Sequence, residues 1–301
     1  MGCDDEAAEP QIVPGVDARV SEPDVSVGFD AGVMPDAVLP DMRPMPDVAV
    51  PDAELMEMPD IDVPDADVPP DAQPMPDMTM LGPLASQCRV GTRYQALDEG
   101  GDLRRTVQRL SELAQDPLSY GAARYFMFGE LDNVDAQVQG VYTGQWIRVP
   151  EGEIPDIEIM NTEHTWPQSL GAGELPARSD LHHLFPVIAS ANTRRFNSPM
   201  GVVVDVDWTQ GGSRAGDNAR GDRVFEPRDD HKGAAARALL YFAVRYDFEI
   251  DADQEAAVRR WHREHPPSEA EQERHDLIWV RQGNRNPFID CPHLVDLIED
   301  F

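Results

Sequence analysis

The sequence predicts an α+β fold: a mainly helical domain with a small β element, carried on an N-terminal segment that does not fold by itself. Three observations predict it. Apolar residues recur at helical spacing on either side of a β-rich middle. β-branched and aromatic residues concentrate over 138–149. Between 157 and 196, strand, loop, strand and helix patterns follow one another.

The first 80 of the 301 residues carry 20 Asp/Glu against Arg19 and Arg43, and 14 of the 27 prolines. That segment holds −18 of the formal −31 charge, leaving −13 for residues 81–301, which contain all five tryptophans and all six tyrosines. With Phe29 as its one aromatic residue, residues 1–80 cannot bury enough apolar surface to offset the entropy of ordering. Pro-Asp recurs there from 23–24 to 76–77, so the segment reads as an extended acidic tether. Its reading is a spacer; an acidic decoy for a basic groove is the alternative. Residues 81–301 are long enough for one sizeable core.

Of the three cysteines, Cys88 and Cys291 lie near the two ends of the folding part, and a bridge between them is expected. Such a bridge implies an oxidising compartment. Cys3, in Met-Gly-Cys followed at once by acids, resembles the mature start of a bacterial lipoprotein. Lipidation at Cys3 is therefore expected, with the membrane as a partner only through that anchor. The sequence contains no apolar run long enough for a membrane span.

In chain order, Leu103, Val107, Leu110 and Leu113 predict an amphipathic helix over 102–115, stopped by Pro117. Tyr120 to Phe128 reads as helix or strand. Val138 to Val149, broken by Gly140 and Gly144, reads as a strand or hairpin. Ile157 to Met160 is a short strand, 167–178 a loop, His183 to Val187 a second strand and Ala189 to Phe196 a helix. Gly201 to Val206 is strand-like and Gly211 to Arg223 a polar loop. Helices follow over Ala234 to Tyr246, with Asp229 and Asp230 as caps, and over Glu269 to Arg281.

The strand–loop–strand–helix stretch carries the chemistry. Asn161-Thr-Glu-His-Thr-Trp-Pro-Gln-Ser169 is followed by Ser179-Asp-Leu-His-His-Leu-Phe-Pro186 and by Ala191-Asn-Thr-Arg-Arg-Phe-Asn197. Glu163 and Asn192 offer oxygen ligands suited to Mg²⁺, and the neutral imidazole of His164 can take a proton from water. Adjacent strand residues point to opposite faces, so Glu163 and His164 need local distortion, or contact from two sides, to act on one phosphate. Asp180, His182 and His183 read as support for the site. Arg178 is a candidate for stabilising transition-state charge, and Arg194 and Arg195 are candidates for phosphate. Asn197 binds the site or ends the helix. Histidines 164, 182, 183 and 231 form an alternative zinc set.

These motifs, with Phe225-Glu-Pro, Lys232-Gly-Ala-Ala-Ala-Arg-Ala-Leu and Gln282-Gly-Asn-Arg-Asn-Pro-Phe-Ile-Asp290, resemble the bacterial endonuclease I family from about residue 90 to the C-terminus. The resemblance implies a small ββα-metal (His-Me finger) motif inside the helical domain. It implies a secreted or periplasmic, sequence-nonspecific nuclease acting on DNA and often RNA, leaving 5′-phosphate ends. His164 matches its general base, and Glu163 and Asn192 match its Mg²⁺ ligands, with Ca²⁺ or Mn²⁺ as candidate substitutes. Arg285 is placed near phosphate. The 167–178 loop is shorter than in some members, so Arg178 matches by position only, and His183-Leu-Phe departs from the common Asn-Leu-Gln. Arginines 178, 194, 195, 214, 220, 223 and 228 predict a positive groove in an acidic body. The expected molecule is a monomer outside the cytoplasm. The alternatives are a catalytically inactive surface-binding domain and a zinc hydrolase of another substrate class.

Overall fold

The computed structural model describes residues 82–150 and 152–301. The tether and Cys3 lie outside the described residues. Helices and strands mix as the α+β reading expects, with eight α-helices and eight strands among the described residues. The strands form three small antiparallel sheets. β1 (Asn133–Val134), β2 (Gln137–Gln139) and β3 (Trp146–Arg148) make the first; β4 (Met160–His164) and β5 (Leu184–Ile188) the second; β6 (Asp205–Gln210), β7 (Ser213–Asp217) and β8 (Arg223–Glu226) the third.

The helices include α1 (Leu103–Glu112), whose Asp102 caps it by accepting from the Arg105 N–H at 3.0 Å. α2 (Tyr120–Phe126) runs into a wide π-turn over Met127–Leu131, which resolves the helix-or-strand alternative. α3 (Ala189–Arg195) follows β5 without a loop. α4 (Asp229–Tyr246) is the central helix, buried on nearly every side from Ala235 to Val244. Asp229 and Asp230 sit inside its first turn rather than before it, where their charge still favours the helix N-terminus. α5 (Ala252–Glu264) packs on α4 through Ala257, Val258 and Trp261. α6 (Glu269–Gln282), α7 (Pro287–Asp290) and α8 (Leu294–Leu297) complete the chain.

Two apolar clusters flank the β4–β5 pair. One is built on α4 and α5 and includes Tyr142, Val187 and Phe242; the other is built on α2 and includes Phe126, Met160, Leu184 and Ile188. Strand alternation sorts the residues: Met160, Leu184 and Ile188 face the α2 side, and Val187 faces the α4 side. The hairpin is thereby wedged between two cores, which fixes its register and hence the face that each polar residue takes.

Three predicted elements differ. Residues 157–159 form a turn, so the strand expected over Ile157 to Met160 begins only at Met160. Residues 201–203 are not strand, and the expected loop over 211–223 contains β7 and starts β8. Gly211 and Gly212, both at positive φ, turn β6 into β7, and a β-carbon on Gly211 would lie 2.1 Å from the Thr143 carbonyl oxygen. The small residues Ser213, Ala215 and Gly216 are buried, so this strand is selected by close approach rather than by β-branched side chains. The Cys88–Cys291 bridge is formed, with Cα atoms 4.4 Å apart across a separation of 203 residues. In the chain-entropy model a closure of that length is worth about 5 kcal/mol.

Candidate active site

β4, β5 and α3 form a continuous strand–strand–helix unit, with Glu163 opposite Phe185 and His164 opposite Leu184. β4 pairs only with β5, so its other edge is unpaired by any strand among the described residues. Glu163 and His164 end this strand and point to opposite faces.

Glu163, 1% exposed, lies on the α4 side. Its Oε1 accepts from the Tyr142 hydroxyl at 2.7 Å and lies 3.4 Å from Arg195 Nε. Burial pushes its carboxyl above the usual range, and the Arg195 charge and the Tyr142 hydrogen bond act against that rise. Arg195 is 2% exposed and donates to the carbonyls of Thr165 (2.7 Å) and Phe196 (3.1 Å). It was expected on phosphate; instead it is committed to the interior, and its charge accompanies Glu163.

Asn192 lies one helical turn before Arg195 on the same face of α3. Its Nδ2 donates to Asn161 Oδ1 at 2.8 Å and to the Thr162 carbonyl at 3.4 Å. With the nitrogen end thus fixed, Oδ1 is the end left for another partner, and no donor to it is found among the described residues. Asn161 and Glu163 share a face of β4, so α3 meets that face at two points, Asn161–Asn192 and Glu163–Arg195. Asn161, Tyr142 and Arg195 as organisers of this face were missed by the sequence reading. The only sequence signal was the i, i+2 spacing of Asn161 and Glu163.

His164, 5% exposed, takes the other face. Its Nε2 is 3.0 Å from the Arg178 carbonyl, which can only accept, so Nε2 carries the proton and Nδ1 keeps its lone pair. Gln168 Nε2 stands 3.3 Å from that Nδ1. Burial, then the neighbouring His183, lowers the imidazole pKa to about 3, so the ring is neutral near pH 7. The Arg178 guanidinium sits over Tyr120 at 4.6 Å from the ring centroid, and the Tyr120 ring is 5.5 Å from that of His164. Arg178 is exposed, so the loop brings a cation beside His164.

The supporting residues are buried. Asp180 accepts from Tyr241 (2.7 Å), Tyr246 (2.8 Å), Gln282 (2.8 Å) and the His182 N–H (3.1 Å). Burial opposes its charge, but His182, His183 and these donors hold its carboxyl below the usual range. His183 bonds the Ala177 carbonyl at 2.7 Å and packs edge-on to His164. His182 bonds the Asn284 carbonyl at 3.3 Å and packs on Tyr241 and His275. Asn197 is half-buried just beyond α3.

The zinc set does not gather: among the described residues no group of three or more His, Cys, Asp or Glu side chains is placed to hold a metal. A hard cation served by the carboxylate of Glu163 and the carboxamide oxygen of Asn192 fits these residues better, since Mg²⁺ takes few protein oxygens and keeps its waters.

Two further expectations change. Arg285, 1% exposed, bonds both oxygens of Asp290 and also Asp276, with its guanidinium over Trp279. It belongs to a buried ion cluster with His275 and Tyr94, not to a phosphate surface. The positive groove is thinner than the sequence implied. Arg214, Arg220, Arg223 and Arg228 pair with Glu226, Asp253, Asp207 and Asp230, and Arg195 is buried. Of the seven arginines, only Arg178 and Arg194 are exposed and without a carboxylate partner among the described residues.

The family model of endonuclease I matches residues 143–293, a span that holds β4, β5 and α3 but neither Tyr120 nor Tyr142. The chain belongs to the endonuclease I family. It is 33% identical over 162 residues to an extracellular ribonuclease of Bacillus subtilis (strain 168), covering 46% of this chain and 53% of the relative. It is 33% identical over 116 residues to a periplasmic deoxyribonuclease of Aeromonas hydrophila, covering 37% and 47%. To endonuclease-1 of Buchnera aphidicola subsp. Baizongia pistaciae (strain Bp) it is 30% identical over 114 residues, covering 37% and 46%. The chain spans about half the length of the relatives it matches. Within the family, the Glu163-His164 strand end and the Asn192 helix are therefore parts of the matched region, and the acidic tether is not.

Proposed function

We propose that this chain is an Mg²⁺-dependent, sequence-nonspecific endonuclease of DNA and RNA, acting outside the cytoplasm through a ββα-metal unit made of β4, β5 and α3. The observation that carries the reading is the pair of fixed orientations at the end of β4. The Arg178 carbonyl leaves a lone pair on His164 Nδ1, and Asn161 leaves the oxygen of Asn192 available on the Glu163 face. The relatives' names, which include an extracellular ribonuclease and a periplasmic deoxyribonuclease, and the formed disulfide support the substrate class and the compartment.

His164 Nδ1 takes a proton from water, whose oxygen attacks phosphorus in line; the P–O3′ bond breaks and the departing 3′-oxygen takes a proton from a solvent water, leaving a 5′-phosphate and a 3′-hydroxyl. The low imidazole pKa keeps Nδ1 unprotonated at neutral pH; Gln168 Nε2 donates to that same lone pair and has to give it up for water to take its place. Arg178, beside Tyr120, answers the extra negative charge of the transition state. Glu163 and Asn192 would hold Mg²⁺, which supplies neutralisation of the nonbridging and leaving oxygens. Tyr142 and Arg195 keep the Glu163 carboxylate in place.

The test is incubation of the full chain with supercoiled plasmid and with a structured RNA, in Mg²⁺ with and without EDTA, beside His164→Ala. EDTA-sensitive nicking that falls by about 10²–10⁴ in His164→Ala is expected. No cleavage of either polymer by wild type would overturn the function. Undiminished cleavage by His164→Ala would overturn the base.

A further inference from the structure

Phe196 carries two features that the fold does not use. Its ring is 75% exposed, the second most exposed large apolar side chain among the described residues after Val280. Its backbone sits at φ 52°, ψ −121°, a region that suits glycine and strains any side chain with a β-carbon. The strain is held in place from both sides of the peptide: the Phe196 N–H donates to the Asn192 carbonyl at 2.8 Å, and the Phe196 carbonyl accepts from Arg195 at 3.1 Å. A bulky ring in a glycine conformation, gaining nothing from burial, calls for a partner beyond the described residues.

Its neighbours define that partner. Phe196 follows α3 directly, one turn beyond Asn192, and comes two residues after Arg194, one of the two exposed arginines without a carboxylate partner among the described residues. A flat apolar face, an unpaired cation and a site for phosphate chemistry within one helical turn match a strand that offers an unstacked base beside a phosphate. We propose that Phe196 is a stacking platform for an unpaired base of the substrate strand, so that single-stranded nucleic acid is bound in preference to duplex. This rests on the phosphodiester-cleavage reading and deepens it. In a duplex each base is already stacked on both faces, and the ring gains a partner only after unstacking; on a single strand the face is free.

The experiment uses the full chain in EDTA, where cleavage is blocked. Fluorescence anisotropy measures binding to a labelled oligo-dT and to a blunt duplex of the same length, for wild type, Phe196→Gly and Phe196→Trp. Phe196→Gly is expected to weaken oligo-dT binding about tenfold and to leave duplex binding nearly unchanged, while Phe196→Trp retains both. Phe196→Gly is also expected to melt higher than wild type, because glycine relieves the strain. Loss of affinity with gain of stability is a split that a structural role does not produce.

Unchanged oligo-dT binding by Phe196→Gly, equal loss on both polymers, or a lower melting temperature would overturn the proposal. So would Phe196-dependent binding seen only on phosphatidylglycerol vesicles, which would assign the ring to a lipid surface. The two levels fail separately. A wild type that nicks plasmid while Phe196→Gly keeps its oligo-dT affinity removes only the platform; a wild type that cleaves nothing removes the reading beneath it.

Discussion

Replacing Asn161 by alanine tests the organisation of the site without touching a proposed ligand. Asn161 Oδ1 accepts from Asn192 Nδ2 at 2.8 Å, and the second acceptor, the Thr162 carbonyl, is longer at 3.4 Å. The short bond does most to decide which end of the Asn192 carboxamide faces outward. A neutral hydrogen bond of this kind is worth about 1 kcal/mol net. Its loss lets the amide turn over and presents nitrogen where oxygen is needed, so metal affinity should fall about fivefold. Partners behind metal ligands cost 10–100-fold in surveyed sites, and the Thr162 contact that survives the change keeps this loss below that range. The assay is titration of the full chain with Mn²⁺ by electron paramagnetic resonance, beside the Mg²⁺ dependence of plasmid nicking. Both midpoints should rise together in Asn161→Ala, with the saturated rate little changed. Asn161→Asp keeps an acceptor for Asn192 Nδ2 and should restore the affinity. An unchanged Mn²⁺ midpoint in Asn161→Ala, or an Asn161→Asp as weak as the alanine variant, would refute the reasoning.

Burial lowers His182 and His231 to about 3 and His262 to about 4, so each protonates more readily in the unfolded chain. Their contribution is complete above pH 6.5 and is lost as pH falls toward about 3; urea midpoints should drop across that window, and a flat profile from pH 7 to 5 would count against it. Reduction of Cys88–Cys291 should lower the melting temperature, with a free-energy loss of up to about 5 kcal/mol, read by calorimetry with and without reductant. Asp290→Asn leaves Arg285 buried beside a weakened partner and should destabilise by about 3–5 kcal/mol in chemical denaturation, without altering the salt dependence of nucleic-acid binding. With Arg178 and Arg194 as the free arginines near the site, single-strand affinity should fall with log salt at a slope near about −1.4; a slope steeper than about −4 would mean that the ion-paired arginines exchange their partners for phosphate.

What the sequence made legible was local. Glu163 and His164 are adjacent, Asn192 follows within one helix, and strand, strand and helix patterns lie in line, so chain order alone placed them in one unit. What it hid was tertiary. Tyr142 reaches Glu163 across 21 residues, and Asn192 reaches Asn161 across 31, and no periodicity marks either contact. Arg194 and Arg195 are chemically identical neighbours; about 100° of helix rotation sends one to solvent and the other into the core beside Glu163. Helix α5 escaped notice because charged residues surround Ala257, Val258 and Trp261, and their burial is decided by α4. Arg285 followed a motif whose conspicuous charge serves a buried pair with Asp290.

These placements bear on how an acidic protein would hold a polyanion. Four of the seven arginines near the site are neutralised by carboxylates and a fifth is buried, so a broad electrostatic surface is not what the proposed enzyme offers its substrate. Attraction at a distance is weak, and recognition falls to contacts made within one or two nucleotides: an oxygen pair for a hard cation, an imidazole lone pair, two exposed guanidinium groups and a ring on the helix end. None of these reads a base edge. A site of this construction would discriminate between polymers by strand flexibility rather than by sequence or sugar, because the ring requires an unstacked base. Sequence-nonspecific cleavage and a preference for unpaired regions are then two consequences of the same arrangement.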